Sequence, residues 1–386
     1  MKVLIYSWFE SGNIGDVLIA KMIMNIFDKR FECLFHDITS GKRMNEPKLI
    51  ENDKIDESWK TIILNISVFR NIIDFIYAIK SKKKFGIQEV SSENVSLAIF
   101  AGGNSLMDLG TFLPGDSITM YRRVRELKKK GIPVLFLFCG VGPYSNLISK
   151  VLAKRTFRLL DFISVRDEAS LDFCVKNGYS GEIEVWRDPV LFYRPKLETK
   201  DKNTIAINIY VGTEKEYESK MINSYIELIR NLRKKYNNYQ ICLFASETGD
   251  RKYSEQVKSA FENDEKVTLV VIKSEEELFE LYSKTIVTVG CRMHALITSV
   301  ICSVPVVAIG WQSKVYSFMK YFTAKDRLVT QTEFCKSPKK MEKMIKEIVE
   351  SNTVECDNIA KKISEERSKL YKQLDSFFER WNRNGL

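Results

Sequence analysis

The sequence predicts an α/β protein of two domains, each built around a parallel β-sheet. Short β-branched and aromatic runs alternate with helical patterns from the N-terminus, and the alternation restarts after residue 203. A chain of 386 residues with 45% hydrophobic content is large for one core and sufficient for two. We therefore predict domains over 1–195 and 196–345, followed by a helical segment over 346–386.

The first predicted domain starts with a strand at 3–9 and a helix at 16–27. Further elements follow in alternation, with strands at 95–101, 133–139 and 161–165 and helices at 119–130 and 168–177. A repeated strand–helix–strand order favours parallel pairing, because the helix returns the chain to the same end of the sheet. The expected domain is Rossmann-like.

The second predicted domain follows a polar, proline-containing segment at 193–203, which is typical of a linker. Its five strands are predicted at 204–210, 240–245, 267–272, 285–289 and 305–309. Beyond it, residues 339–381 have a helical pattern in which Leu370, Leu374, Phe377 and Trp381 form an apolar stripe. That stripe predicts a closing helix packed on the domains.

Charge and cysteine usage restrict the classes of partner. The net charge of +10 favours anionic partners, namely phosphorylated metabolites, nucleic acid or an anionic lipid surface. Zinc-finger spacing and an aromatic RNA-binding strand are both missing from the sequence, so nucleic acid is not expected. The eight cysteines are scattered without a C-x-x-C pair, which indicates reduced thiols in a cytoplasmic protein and neither disulfides nor a metal site.

Two observations concern membranes. The N-terminus lacks the apolar core and cleavage site of a signal peptide, and no apolar run is long enough to predict a transmembrane helix. Residues 61–80, followed by Lys82, Lys83 and Lys84, fit either amphipathic core helices with a basic end or a segment lying on the inner face of an anionic membrane. The second interpretation is compatible with peripheral membrane contact and a lipid-linked acceptor.

Three glycine-containing loops follow predicted strands of the first domain. Their candidate ligand-binding residues are Gly12, Asn13, Gly15 and Asp16; Gly102, Gly103 and Asn104; and Gly140 and Gly142. Carboxyl ends of parallel strands are where open α/β sheets bind ligands, although tight turns also need glycine for steric reasons alone. None of the loops is the G-x-G-x-x-G of dinucleotide-binding proteins, so a nicotinamide cofactor is not expected.

Two arginines also follow strands, each next to an aspartate. Arg166 precedes Asp167, and Arg187 precedes Asp188. Such an arginine either binds a phosphate or carboxylate or forms a structural pair with the neighbouring aspartate. We retain Arg166 as a candidate substrate-binding residue.

The most specific pattern joins a buried strand through Gly290 to an apolar helix that carries Arg292 and His294. It brings together a fixed cation, a titratable imidazole and a helix N-terminus. The chain has two histidines; His36 is expected to be structural, and a core role for His294 remains the alternative. Lys314 follows the next buried strand and is predicted at the same sheet edge.

These motifs together resemble the polysaccharide pyruvyl transferase family. The segments G-N-I-G-D, A-G-G-N-S, G-V-G-P, S-V-R-D-E-A-S and C-R-M-H-A-L-I, with the proline-led strand before Lys314, carry the resemblance over about residues 2–320. Ala101 stands where the family often has a third glycine, which implies a slightly less open loop. The paired Rossmann-like domains, expected to face a cleft, are similar to GT-B glycosyltransferases.

The resemblance implies phosphoenolpyruvate as donor, a sugar with two hydroxyls as acceptor, and neither metal nor cofactor. His294 is then the general acid, Arg292 and Lys314 hold the donor anion, and the loops at Gly12–Gly15 and Gly102–Asn104 shape the acceptor side. Two alternatives stay open. One is a GT-B glycosyltransferase that uses a nucleotide sugar, and the other is a non-catalytic sugar-phosphate binding protein.

Overall fold

The computed structural model describes residues 1–50, 75–76, 93–108, 114–144, 146–197, 201–212, 215–323 and 326–383. Apart from residues 75 and 76, the predicted amphipathic segment at 61–80 lies outside the described residues, as do Lys82–Lys84. The chain divides into two compact units. Unit 1 comprises Met1–Ser11, Asp16–Pro189 and Lys372–Leu386, and unit 2 comprises Gly12–Gly15 and Val190–Tyr371.

Unit 1 contains a six-stranded parallel sheet. The strands of the unit are β1 Lys2–Ser7, β2 Glu10–Ser11, β3 Glu32–Asp37, β4 Lys48–Leu49, β5 Leu97–Ala101, β6 Leu106–Asp108, β7 Val134–Cys139, β8 Val141–Tyr144, β9 Phe162–Val165 and β10 Ile183–Val185. The sheet order is β10-β9-β7-β5-β1-β3, and β2 and β4, like β6 and β8, form separate pairs. The central strands β5 and β7 are fully buried apolar runs, as expected for a sheet covered on both faces.

The helices that follow these strands begin with local capping interactions where the sequence supplies them. They are α1 Ile14–Phe27, α2 Gly115–Lys129, α3 Leu147–Phe157 and α4 Glu168–Lys176. The Asn146 side chain accepts a hydrogen bond from the backbone N–H of Ile148 at the start of α3. Asp167 does the same for the N–H of Ser170 in α4, so two of the otherwise unsatisfied donors are paired.

Unit 2 contains the second six-stranded parallel sheet. Its strands are β11 Thr204–Asn208, β12 Gln240–Ala245, β13 Val267–Val271, β14 Thr285–Gly290, β15 Val306–Gly310 and β16 Leu328–Thr330. Its helices are α5 Lys215–Lys235, α6 Arg251–Ser259, α7 Glu275–Ser283, α8 Met293–Ile301, α9 Ser313–Phe322 and α10 Gln331–Lys336, with 3-10 turns at Pro189–Phe192 and Thr248–Asp250. The sheet order is β13-β12-β11-β14-β15-β16.

Both sheets reverse their strand order once, which marks where ligands bind in open α/β folds. In unit 2 the order reverses between β11 and β14, which is the doubly wound arrangement of dinucleotide-binding domains. In unit 1 it reverses between β1 and β5. The predicted α/β class with two Rossmann-like domains is confirmed, and a ligand site is expected at the carboxyl ends of these four strands.

The last helix, α11 Lys339–Arg383, contains non-helical backbone angles at Ser351. Its residues up to Tyr371 belong to unit 2 and those from Lys372 to unit 1. The predicted domain boundary at 195/196 lies six residues after the observed one, which falls between Pro189 and Val190. The segment 346–386, predicted as separate, is divided between the two units because its two parts contact different cores. In unit 1, Phe377 packs on Phe162 with ring centroids 4.3 Å apart. No helix in the described part of the chain is long and apolar enough to cross a membrane.

Candidate functional site

The reversal point of the second sheet is organised by Asn208, the last residue of β11. Its side-chain oxygen accepts a hydrogen bond from the backbone N–H of Arg292 at 3.3 Å. Its amide group donates to the carbonyl of Phe244 at 3.2 Å and to the Ser246 hydroxyl at 3.3 Å. A fully buried polar side chain therefore joins the loops after β12 and β14 to β11. Asn208 was not predicted as a site residue, because its only signal in the sequence is a polar residue at the end of an apolar strand.

Arg292 lies between the end of β14 and the start of α8, and its guanidinium contacts two carboxylates. It donates to both oxygens of Asp250, with Nε at 2.9 Å and one terminal nitrogen at 2.7 Å. The other terminal nitrogen is 2.8 Å from Glu247. The guanidinium carbon also lies 4.0 Å from the centroid of the Tyr210 ring. Neither carboxylate was identified from the sequence, although both lie in the loop Ser246–Asp250 after β12.

The two carboxylates that contact Arg292 differ in exposure. The side chain of Asp250 is 1% exposed, whereas that of Glu247 is 32% exposed. Burial opposes the charge on Arg292, but hydrogen bonding and charge attraction from Asp250, with a further contribution from Glu247, raise its pKa above the usual value. Arg292 is thus a permanent cation held by a buried partner and a half-buried one.

His294 is the second residue of α8, is buried, and packs against the loop Gly12–Gly15. A Cβ atom added to Gly15 would overlap the His294 imidazole. The loop is held in place by hydrogen bonds from the Ile14 N–H to the Ser246 carbonyl at 3.2 Å and from the Asn13 amide to Glu247 at 3.3 Å. The sequence assigned this loop to the first domain, but its contacts assign it to unit 2, beside His294.

We predict that Gly15→Ala displaces the imidazole of His294. The chain has two histidines, so selectively labelled protein gives two imidazole C2–H resonances. The resonance of His294 should shift while that of His36 does not, and stability should fall by about 1–3 kcal/mol from overpacking. Gly249→Ala is the matched control, since nothing lies within 4 Å of its added methyl group. An unchanged His294 resonance in Gly15→Ala would contradict the packing described above.

Lys314 is the second residue of α9, which follows β15. Because β14 and β15 are parallel neighbours, Arg292, His294 and Lys314 lie at the same edge of the sheet, as the sequence indicated. Arg292 and Gln312 occupy the N-cap positions of α8 and α9 without a side-chain capping bond. By contrast, Ser274 caps α7 and Thr330 caps α10. Two helix starts at this edge thus have no side-chain cap for their N–H groups, a setting that favours an anion.

Cys291 is adjacent to Arg292 but is unsuited to nucleophilic chemistry. Burial raises the pKa of its thiol to about 12, so the thiol is neutral near pH 7. The Tyr225 hydroxyl lies 3.2 Å from its Sγ, and the Trp311 indole N–H donates to its carbonyl oxygen at 3.0 Å. Cys291 therefore has a structural role. Within the described residues, no group of three or more His, Cys, Asp or Glu side chains could hold a metal ion.

The predicted glycine loops of unit 1 meet at the carboxyl edge of the first sheet. Gly102 and Gly103 follow β5 with φ of +73° and +64°, a backbone region that favours glycine. The N–H of Gly140 donates to the Gly103 carbonyl at 2.8 Å. A Cβ at Gly140 would lie 2.7 Å from both Arg166 and the Asn104 side-chain oxygen, so the close approach itself requires glycine. Gly142, with φ of +70°, packs against Phe173.

Arg166 is buried in unit 1 among polar side chains. It donates to the Asn104 side-chain oxygen and lies 3.6 Å from Asp167 and 3.9 Å from Asp188. The contacts with the two aspartates correspond to the structural pairing that the sequence offered as one of two roles for Arg166. Asp16, another predicted site residue, accepts a hydrogen bond from the Ser11 hydroxyl at 3.0 Å.

Comparison with known proteins supplies the family and the fold. The family model described as polysaccharide pyruvyl transferase matches residues 13–313, which include Arg292 and His294. A search of curated proteins gives no match. Among solved structures, the chain is similar to UDP-GlcNAc 2-epimerase from Neisseria meningitidis bound to UDP-GlcNAc, with 12% identity, 97% of this chain and 100% of that chain covered, and a TM-score of 0.58.

Two further structures show the same likeness. UDP-N-acetylglucosamine 2-epimerase from Rickettsia bellii has 12% identity over 99% of this chain and 98% of that chain, with a TM-score of 0.54. An O-GlcNAc transferase mutant from Thermobaculum terrenum has 10% identity over 98% of this chain and 67% of that chain, with a TM-score of 0.53. At such identities the likeness concerns the fold alone, which is the GT-B fold predicted from the sequence.

Proposed function

This chain belongs to the polysaccharide pyruvyl transferase family, and from that premise we propose that it forms a pyruvate ketal on a sugar of a cell-surface polysaccharide or exopolysaccharide precursor, using phosphoenolpyruvate. The observation that carries the proposal is that Arg292, His294 and Lys314 share one sheet edge, with Arg292 and His294 following β14 at the reversal point and Lys314 following its neighbour β15. Cations and helix N-termini suit the phosphate and carboxylate of phosphoenolpyruvate, and protonation of its enol phosphate double bond needs a proton donor.

In the proposed reaction, His294 donates a proton to the methylene carbon of phosphoenolpyruvate. The adjacent carbon becomes oxocarbenium-like and is attacked by a sugar hydroxyl, and its bond to the phosphate oxygen breaks. A second hydroxyl then closes the ketal. Of the two hydroxyl protons, one leaves with phosphate and the other restores His294, so the atoms balance with no metal or cofactor.

Arg292 already contacts two carboxylates, so donor binding at its guanidinium has to compete with them. One guanidinium against Asp250 and Glu247 leaves a net charge of −1, so an anionic donor also requires the positive charge of Lys314. We propose that the donor replaces Glu247, the more exposed partner, while Asp250 keeps the guanidinium oriented. Bidentate orientation by a buried carboxylate is the geometry that suits arginine.

The acceptor is assigned to unit 1. The loop Gly102–Asn104 follows β5 at the reversal point, and Gly140 and Arg166 form hydrogen bonds with it. We propose that these residues, with Gly142, bind the sugar, free or lipid-linked. The loop Gly12–Gly15 was also expected on the acceptor side. Its packing against His294 supports a place beside the donor instead. A cytoplasmic location, at or near the inner membrane face, completes the proposal.

The test is a calorimetric titration of phosphoenolpyruvate and, in parallel, of UDP-GlcNAc. We expect phosphoenolpyruvate to bind the wild-type protein and the His294→Asn variant with similar affinity, because the imidazole acts on the proton and not on the anion. UDP-GlcNAc should give no heat. Binding of UDP-GlcNAc without phosphoenolpyruvate would replace the proposal with the nucleotide-sugar glycosyltransferase, and silence of both ligands would also overturn it.

A further inference from the structure

Helix α3 presents a group of exposed apolar side chains in its first two turns. Leu147 is 79% exposed, Ile148 58% and Val151 49%. The opposite face is covered, since Ser149, Ala153, Thr156 and Phe157 are buried. Exposed apolar side chains elsewhere in the described chain are scattered, whereas these three lie within five consecutive residues and Leu147 is the most exposed of all. A cluster of this kind, unlike single residues, signals an interaction surface.

The same exposed face continues as a row of cations. Lys150, Lys154, Arg155 and Arg158 are all exposed, and Leu147–Arg158 contains no acidic residue. In the part of the chain that the structure describes, none of the four forms an ion pair with a carboxylate. Helical spacing puts Lys154 and Arg155 one turn beyond Lys150 and Val151, on the same side as the apolar group.

We propose that α3 docks on an anionic lipid bilayer. The apolar side chains at its start enter the boundary between headgroups and acyl chains, while the four cations contact lipid phosphates and extend their aliphatic stems along the surface. The net charge of +10 adds long-range attraction to such a surface. This surface, defined by Leu147, Ile148, Val151 and the four cations, is here called the α3 face.

Other occupants fit the α3 face less well. A second copy of the chain, paired about a two-fold axis, would bury the apolar residues but would bring two sets of four like charges together. A nucleic acid would satisfy the cations and leave the aliphatic side chains in water. An anionic bilayer satisfies both halves of the face at once.

The test is flotation of the full chain with vesicles of phosphatidylcholine alone or mixed with phosphatidylglycerol. The wild-type protein should float with the anionic vesicles and be released by high salt, because surface charge interactions are screened. The triple variant Leu147→Ser/Ile148→Ser/Val151→Ser and the variant Lys150→Gln/Lys154→Gln/Arg155→Gln should each lower the partition coefficient by about tenfold or more. Neither variant should alter thermal unfolding appreciably, since the replaced side chains are exposed.

Val175→Ser and Val354→Ser are matched controls, because these valines are 58% and 64% exposed on other helices. Both should bind anionic vesicles like the wild type. Equal binding to neutral and anionic vesicles, or unchanged binding of the triple variant, would overturn the proposal. So would conversion of a dimer to a monomer by the triple variant, which would assign the face to a second copy. The assay needs no turnover, so its outcome is independent of the proposed reaction.

Discussion

Replacement of His294 by asparagine should lower kcat by about 10²–10⁴-fold while leaving the affinity for phosphoenolpyruvate within a few-fold of the wild type. Asparagine is similar in size and retains hydrogen-bonding capacity, but it has no proton to deliver at neutral pH. The buried position of His294 against Gly15 makes a small, shape-conserving change preferable to a deletion. Phosphate release in the presence of a sugar acceptor measures turnover, and calorimetry measures binding.

His36→Asn is the control for this variant. His36 is also buried and lies in β3 of unit 1. Its Nδ1 is 3.0 Å from the carbonyl of Gly41, which follows the turn after β3. Its replacement should reduce stability without changing kcat in the protein that remains folded. Full turnover in His294→Asn would remove the imidazole from the proposed chemistry, and a parallel loss of donor binding would show a binding role.

The sequence predicted which strands and helices form the site, but it did not predict which side chains contact one another there. The order of strands and helices, with Gly290 before Arg292 and His294, indicated a carboxyl edge because topology follows from alternation. By contrast, Asp250 and Asn208 are 42 and 84 residues from Arg292, and no local pattern encodes such a pairing. The contact of Gly15 with His294 was hidden for the same reason.

The sequence also failed to predict some short strands and helices. Strand β16 and helix α10 have three and six residues, too few for a period of two or of 3.6 to be recognised. Arg166 illustrates a different difficulty, since an arginine beside an aspartate has the same sequence signature whether it binds a ligand or a neighbour. The contacts with Asn104, Asp167 and Asp188 were needed to show its present partners.

Neutralising the two carboxylates that contact Arg292 should change the affinity for phosphoenolpyruvate in opposite directions. Asp250→Asn removes the charge from a buried bidentate partner and leaves the guanidinium partly uncompensated, so the free energy of unfolding should fall by about 2–4 kcal/mol. Phosphoenolpyruvate should also bind more weakly, because Arg292 loses its fixed orientation. Glu247→Gln changes a more exposed partner, so stability should change by less than about 1 kcal/mol.

Donor affinity in Glu247→Gln should instead rise several-fold, because the variant removes a negative charge that competes for the same guanidinium nitrogen. Urea unfolding and calorimetric titration of both variants, in one buffer, measure the two effects together. The opposite signs distinguish an orienting carboxylate from a competing one. Weaker donor binding in both variants would mean that Glu247 also orients Arg292, and the donor would then have to bind without displacing it.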